Sequence, residues 1–479
     1  MSEIPQAAAA LILSREDRAR VLMIRRNPAL RFMGGHHAFP GGRIDPGEGS
    51  ERVVGAPNGD EARAIHAVAR EAFEETGLLL TRGTAPNAES ADRARRELLA
   101  GRGDFDAFLA EFGLTIHADD LEPAGLWVTP ALSPIRFHTR YYVHRRAEAA
   151  GESLIPGEVD DVAWQDPAAM RRRWRAGEVR ISPPIAYVLD RLARRPYPEV
   201  MESLRCTSHC GPADPGRMEF AAGVHMIPLL TPTIPPATHT NCVAVGEREL
   251  YLIDPSTPHA EERERLVAQV DCLLEFGGRV AAILLTHAHA DHVGAAEFAR
   301  DRFGAPIGAH AITAERLDFQ VDRRLEDGEV IAIPGDPDWR LRCVLTPGHD
   351  PGHLCFFEET TRTLIAGDMV AERGTIAILP DDGGDMTAYL ESLEKLRALD
   401  ADQIIPGHGF IIADPEAKLR AYIDHRLARE KKIESALARG LTRIEDLLPV
   451  AYDDVDLKLW KWAEQSLRAH LARIESKNS

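Results

Sequence analysis

The stretch AAILLTHAHADHVGAAEF, residues 281–298, decides the reading of this chain. An apolar run ends at Leu285, the ligand-type side chains His287, His289, Asp291 and His292 follow, and an amphipathic segment begins at Ala295. That is the pattern of a strand running through a turn into a helix. Alternate residues at a strand end share one side, so His287 and His289 converge on one ion, while Asp291 and His292, where the chain turns, reach a second. Three more residues stand just past apolar stretches: His349 in LTPGHDPGH, Asp368 in LIAGD and His408 in IIPGHG. Ligands at successive strand ends meet in space although far apart in sequence. A lone histidine is usually a surface or core residue, but that reading does not account for so dense a group followed by three more in glycine-flanked turns. Imidazole and carboxylate together suit zinc best, with manganese or iron as the other choices.

The HxHxDH pattern with the later His, Asp and His resembles the metallo-β-lactamase superfamily. That resemblance implies an αββα sandwich in which His287, His289 and His349 hold a first metal and Asp291, His292 and His408 a second, with Asp368 bridging both. Asp254, in LYLIDPS, matches the family's strand-end aspartate and is expected to support ligands rather than be one. Antibiotic-hydrolysing members use a cysteine for the second metal where this chain has Asp368, so the resemblance points away from antibiotic hydrolysis. Two neighbouring cations lower the pKa of a bridging water from about 15.7 toward neutrality and stabilise charge on the attacked centre. Asp291 would orient that hydroxide or move its proton.

Such a site suits thioesters and phosphodiesters alike. PGHGFIIADPEAKLRAYIDHRLAREKKIESAL, residues 406–437, with its helical tail, resembles the group containing the lactamase-beta-like endoribonuclease, whose tail is winged-helix-like. The similarity runs from about Val224 to the C-terminus. Arg420, Arg426, Arg429, Lys431 and Lys432 would then track the phosphate backbone of a short single-stranded RNA; the alternative is a solvated face shared with Asp424, Glu430 and Glu434. Phosphodiester cleavage is the leading expectation. The alternative is a thioesterase resembling the hydroxyacylglutathione hydrolases, acting on acylglutathione or acyl-CoA substrates, with the N-terminal half as a non-catalytic sensor of nucleotide or coenzyme A.

That N-terminal half carries REAFEETGL, residues 70–78, in which Glu71, Glu74 and Glu75 share one helical face. Like charges so close are mutually unfavourable, and a bound cation relieves them. The order R-E-x-x-E-E-x-G after a GG-containing loop resembles the Nudix box, with Gly42 and Glu48 matching its front. The usual seven residues between that glutamate and the arginine have become the longer stretch Gly49–Ala69, with Glu61 as an alternative helix-entry residue. RFMGGHHAFPGG, AREAFEETGLLL, and LWVTP with RFHTRYYV together resemble the coenzyme A diphosphatase group of Nudix hydrolases. The resemblance implies an α/β/α sandwich over about Gln6 to Arg194. In it Glu71, Glu74 and Glu75 hold magnesium or manganese, and water attacks the pyrophosphate of a nucleoside diphosphate or coenzyme A-type ligand. Glu75 joins Asp291 as an expected catalytic residue.

A chain of 479 residues has room for two such domains. The expected organisation is a Nudix-like domain over 5–195, a linker over 196–218 rich in proline and glycine, a metallo-β-lactamase-fold domain over 219–414 and a helical, winged-helix-like unit over 415–479. In the linker, Cys206, His209 and Cys210 form C-x-x-H-C, but a closed zinc site needs a fourth ligand and none lies nearby. His36, His37 and His353 are expected to be structural or substrate-facing. The net charge of -18 repels polyanions at long range, which argues against duplex DNA. Scattered cysteines suit a reducing cytoplasm, the N-terminal apolar run is too short and too acidic in its flank for a signal peptide, and no stretch is long enough for a membrane span.

Overall fold

The computed structural model describes residues 4–478 apart from 31–32, 50, 130–132, 134, 149–152, 156, 206–215, 275–276 and 337. Cys206, His209 and Cys210 therefore lie outside the described residues. The chain divides into two compact units, residues 1–216 and 217–479.

In the first unit the apolar run at the start becomes the strand Gln6–Ser14, which pairs antiparallel with Val21–Arg26 in a hairpin. It also pairs in parallel with His138–Arg146 along its whole length. Across the sheet the order is Arg180–Ile181, His36–Ala38, Val21–Arg26, Gln6–Ser14, His138–Arg146, Glu122–Val128. Gly41–Arg43 pairs with the first strand, and Val159–Gln165 with the second.

The acidic segment forms the helix Gly59–Thr76, opened by the Asn58 side chain accepting from the Glu61 amide and closed by Gly77 at a left-handed φ of 78°. Its stripe of Ile65, Val68, Ala72 and Phe73 packs on Ala8, Ala10, Ile12 and Tyr142 of the sheet. Further along the chain, Phe105 and Phe108 of the helix Phe105–Glu111 stack on Phe73, with ring centroids 5.9 and 5.0 Å away. Side chains alternate along a strand, so Trp127, opposite Thr139, projects from the other face and meets Tyr187 of the helix Pro183–Arg194 edge-on. Helices thus cover both faces of the sheet. Residues Val200–Arg205, inside the passage expected as linker, form a helix held to the sheet where Arg205 and Tyr197 both bond Glu122.

The second unit holds a seven-stranded sheet, Met218–Ala221 to Arg323–Leu325 in chain order, and a five-stranded one, Val330–Ile333 to Gln403–Pro406. Leu266 and Val270 of the helix Ala260–Leu273, with Ala296 and Ala299 of Ala296–Phe303, pack on Ile227, Leu252 and Ile283 of the first sheet. Leu393 and Tyr422, from the helices Met386–Arg397 and Pro415–Ala438, pack on Cys355, Leu364 and Ile404 of the second. The sheets face one another: the buried Trp339 of the second donates to Ala222 O at 2.8 Å beside the first, and its ring fills the space above Gly223. The layers therefore run helix, sheet, sheet, helix, the expected αββα order.

Beyond them the helices Pro415–Ala438, Ile444–Ala451 and Trp460–Asn478 close around Ile433, Leu447 and Leu467. Among the described residues no helix is long and apolar enough to cross a membrane.

Candidate metal centre and acidic helix

In the second unit every expected ligand comes from a strand end or the turn after one. The strand Arg279–Leu284 delivers His287 and His289, and a short helix at Ala290–Val293 carries Asp291 and His292. The turn after Trp339–Leu345 brings His349, Thr363–Gly367 brings Asp368, and Gln403–Pro406 brings His408. The ligand atoms gather in three overlapping groups, His287/His289/His349, His287/His292/Asp368 and Asp291/His292/His408, each with its atoms within 4.8 Å of one another. His289 Nδ1 lies 3.0 Å from both His287 Nε2 and His349 Nε2. Asp368 stands between the groups, with Oδ1 3.2 Å from His408 Nε2 and 3.3 Å from His292 Nε2, and Oδ2 3.7 Å from His349 Nε2. Gly407 has no side chain because a Cβ there would collide with Asp368 Oδ1.

The remaining nitrogen of each histidine is held from behind. His287 Nδ1 bonds Thr286 Oγ1 (2.8 Å), His289 Nε2 bonds Asp382 Oδ2 (2.8 Å), and His292 Nδ1 bonds Asp254 Oδ2 (2.8 Å). His349 Nδ1 donates to Ala377 O and His408 Nδ1 to His239 O, both at 2.9 Å. Such bonds orient the rings so that in the metal-bound form the inward nitrogen of each is a lone-pair donor, the arrangement found behind metal-bound histidines. His292 Nε2 and Asp368 Oδ1 are buried yet form no hydrogen bond among the described residues, so the donor set fits a cation. Burial alone would raise Asp368, but His408 and His292 hold it well below the usual carboxylate range. Burial and the neighbouring imidazoles push His287 far down, which keeps it neutral and ready to ligate.

Asp254 supports rather than joins this set, as expected. It sits at φ 50°, a left-handed conformation that Asp tolerates better than most residues, and its carboxylate also accepts from Thr286 N and Thr286 Oγ1. An amide nitrogen at this position would face those donors. Asp254→Asn is expected to weaken metal retention by about 10–100-fold in a chelator competition, and unchanged retention would remove Asp254 from the scheme. His353 is structural: its Nδ1 lies 2.9 Å from Thr346 Oγ1 and its Nε2 accepts from the Asp368 amide at 3.2 Å.

In the first unit Arg70 gathers the carboxylates. It donates to Glu48 through Nε (2.9 Å) and Nη2 (2.7 Å), and its Nη1 lies 3.0 Å from Glu71 Oε1 and 3.2 Å from Glu74 Oε1. Glu48, not Glu61, is thus the glutamate facing the acidic helix; Glu61 accepts instead from the Tyr142 hydroxyl at 2.9 Å. The long intervening loop leaves this register intact because His66, one turn before Arg70, also bonds Glu48. Glu75 Oε2 accepts from Gly41 N at 2.9 Å, and a Cβ on Gly42 would collide with the Glu71 carboxylate, so the GG strand lies directly on the acidic face. Burial, opposed by Arg70, lifts Glu71 to about 7. Burial and the nearby Glu71 raise Glu75 well above the ordinary carboxylate range. Two buried carboxyls that resist ionising side by side suit a divalent cation, which restores their charge.

Fold and sites together define a Nudix unit and a metallo-β-lactamase-fold unit in one chain. The NUDIX domain family matches residues 4–183, the Metallo-beta-lactamase superfamily residues 235–408 and the Beta-lactamase associated winged helix domain residues 444–478, so the chain carries these three in that order. Among curated proteins it is 32% identical to the "Atrochrysone carboxyl ACP thioesterase" of Aspergillus fumigatus, over 42% of this chain and 59% of that protein. It is 28% identical to the "Beta-lactamase-like protein 2 homolog" of Drosophila melanogaster, over 50% of this chain and 82% of that protein. Three of the curated relatives are matched over only 47% to 65% of their length. A solved beta-lactamase domain protein from Burkholderia ambifaria shares the fold, with a TM-score of 0.50 at 20% identity, covering 57% of this chain and 91% of that one.

Thr286, Asp382 and the carbonyls of Ala377 and His239 escaped the sequence reading. Thr286 could have been found, because it adjoins His287 and faces the strand-end Asp254; the others are distant in sequence and carry no local signal.

Proposed function

We propose that the second unit is a metal-dependent thioester hydrolase and that the first hydrolyses the pyrophosphate bond of a nucleoside diphosphate or coenzyme A-type ligand. The observation that carries the first part is the set of five histidines, each tied back through one nitrogen while the other converges with Asp291 and Asp368. Two divalent cations, zinc in this reading with manganese or iron as alternatives, would supply Lewis acidity and a lowered pKa for water. Asp291, with Oδ2 3.6 Å from His408 Nε2 on the cavity wall, takes the proton of the attacking water. Asp382, itself held by Arg316, fixes the ring of His289. In the first unit Glu71, Glu74 and Glu75 would hold magnesium or manganese, with Arg70 orienting Glu48 and Glu74.

The substrate class is supported by the cavity of about 650 Å³ that opens on His289, Asp291, His349, Asp368 and His408. Ile234, Pro235, Ile376, Leu379, Leu459 and Trp462 line it, which favours an acyl chain. The phosphodiester reading draws on basic residues along the helix Pro415–Ala438, but Arg420 pairs with Glu416, Arg429 with Asp454 and Lys432 with Asp453. One relative bears the name thioesterase, which agrees. Free thiols at Cys242, Cys272, Cys343 and Cys355 support a reducing, cytoplasmic setting. Metal-supplemented protein assayed on butyryl-CoA and on a single-stranded RNA oligonucleotide is expected to cleave the thioester. Cleavage of the RNA alone would overturn this reading in favour of the phosphodiester one.

A further inference from the structure

The long helix Pro415–Ala438 sends Arg426 inward, where it is 2% exposed. Its Nη2 donates to Ile376 O and the guanidinium lies 5.5 Å over the ring of Tyr389, yet no carboxylate pairs with it among the described residues and its Nε has no acceptor. A buried charge with no counter-charge is costly unless something supplies one. Arg429, one turn on, shows the contrast, because its guanidinium is neutralised by Asp454 at 2.6 Å and lies 4.4 Å over the ring of Tyr452.

Two more donors nearby are unmet. Arg429 Nη2 donates to His425 Nε2 at 3.1 Å, so the imidazole proton resides on Nδ1, which is buried and has no acceptor. Burial, with Arg426 and Arg429 alongside, holds this histidine near 4, hence neutral. The Tyr452 hydroxyl is likewise buried without a partner. All three residues line the cavity that also opens on Asp291 and Asp368. Of the acidic groups on this side, Asp454 is engaged by Arg429 and Asp456 accepts from the Lys458 amide at 2.9 Å.

Buried donors are nearly always satisfied, and here three go unmet around one uncompensated positive charge. We propose that Arg426, His425 and Tyr452 form a subsite for an anionic oxygen group, a carboxylate or a phosphate, carried by the molecule hydrolysed at the metal centre; this rests on the reading of the cavity as a substrate site. An apolar ligand leaves the donors unmet, and water satisfies them but not the charge. The group gives the cavity polarity: the scissile bond goes to the histidines and the anionic end to the C-terminal helices.

Calorimetric titration of succinate and of inorganic phosphate into the full-length protein tests this. Wild type is expected to bind at least one of the two, with at least about tenfold weaker binding in Tyr452→Phe, which deletes only the hydroxyl, and in Arg426→Met. The probe that suffers more identifies the group as carboxylate or phosphate. Equal affinities in all three proteins, or no binding of either anion to wild type, would overturn the subsite. Tyr452→Phe keeps the ring against Arg429, so it still decides the matter if Arg426→Met does not fold. Release of free thiol from butyryl-CoA by wild type, a product that pyrophosphate cleavage in the first unit does not give, is measured in parallel and judges the metal-centre reading separately.

Discussion

Asp368→Asn is expected to lower thioester turnover by at least about a thousandfold, roughly 4 kcal/mol of transition-state stabilisation. The reason is its position, since one carboxylate reaches toward His292 and His408 with Oδ1 and toward His349 with Oδ2. The amide keeps the shape, so the fold should survive; what goes is the negative charge that both halves of the centre share. Metal content should fall with activity, from about two ions per chain to about one or none, read by elemental mass spectrometry on unchelated protein. A variant with full turnover and full metal content would end the binuclear scheme.

Glu75→Gln should reduce magnesium-dependent cleavage of coenzyme A or a nucleoside diphosphate derivative by about 10²–10⁴-fold, the scale of a lost acid–base group. Glutamine keeps an acceptor for the Gly41 amide, so the strand on the acidic face stays in place. Burial and Glu71 already hold Glu75 well above its usual range, and the substitution removes both its metal-binding charge and its capacity to carry a proton. Wild type that binds these ligands without cleaving them would instead identify the first unit as a sensor, and the substitution would then register in affinity rather than in rate.

How much of this was legible in the sequence depended on how local the signal was. His287 to His292 could be read directly, because strand, turn and helix follow one another and four of the six positions carry ligand-type side chains. Asp254 was recognisable as a strand-end residue, and its supporting role agrees with the bonds it makes to Thr286 and His292. The choice between Glu48 and Glu61 was not open to spacing arguments, since it turns on where a long loop returns the chain, and the contact with His66 settles that only in three dimensions. The placement of the basic residues of the long helix was hidden for a related reason. Arg426 and Arg429 look like neighbours of Arg420 and Lys432 in a charged run, but they lie on the buried side, facing Ile376 and Ala451. Which side of a mixed helix meets the body of the protein is decided by packing partners remote in sequence.

The peptide segment from Ile376 to Ile378 links two regions that a diagram would draw apart. The ring of His349 hangs on its middle carbonyl, while Arg426 grips the residue before and Ser466, at 3.2 Å from the Ile378 amide, the residue after. The candidate metal centre and the tail are therefore tied through one peptide segment. Fraying of the last helices would tilt an imidazole at the heart of the reaction, and occupancy of the centre would in turn hold the carboxyl-terminal helices against unravelling, so a protease cutting there and a chelator acting on the ions would each reproduce the other's damage.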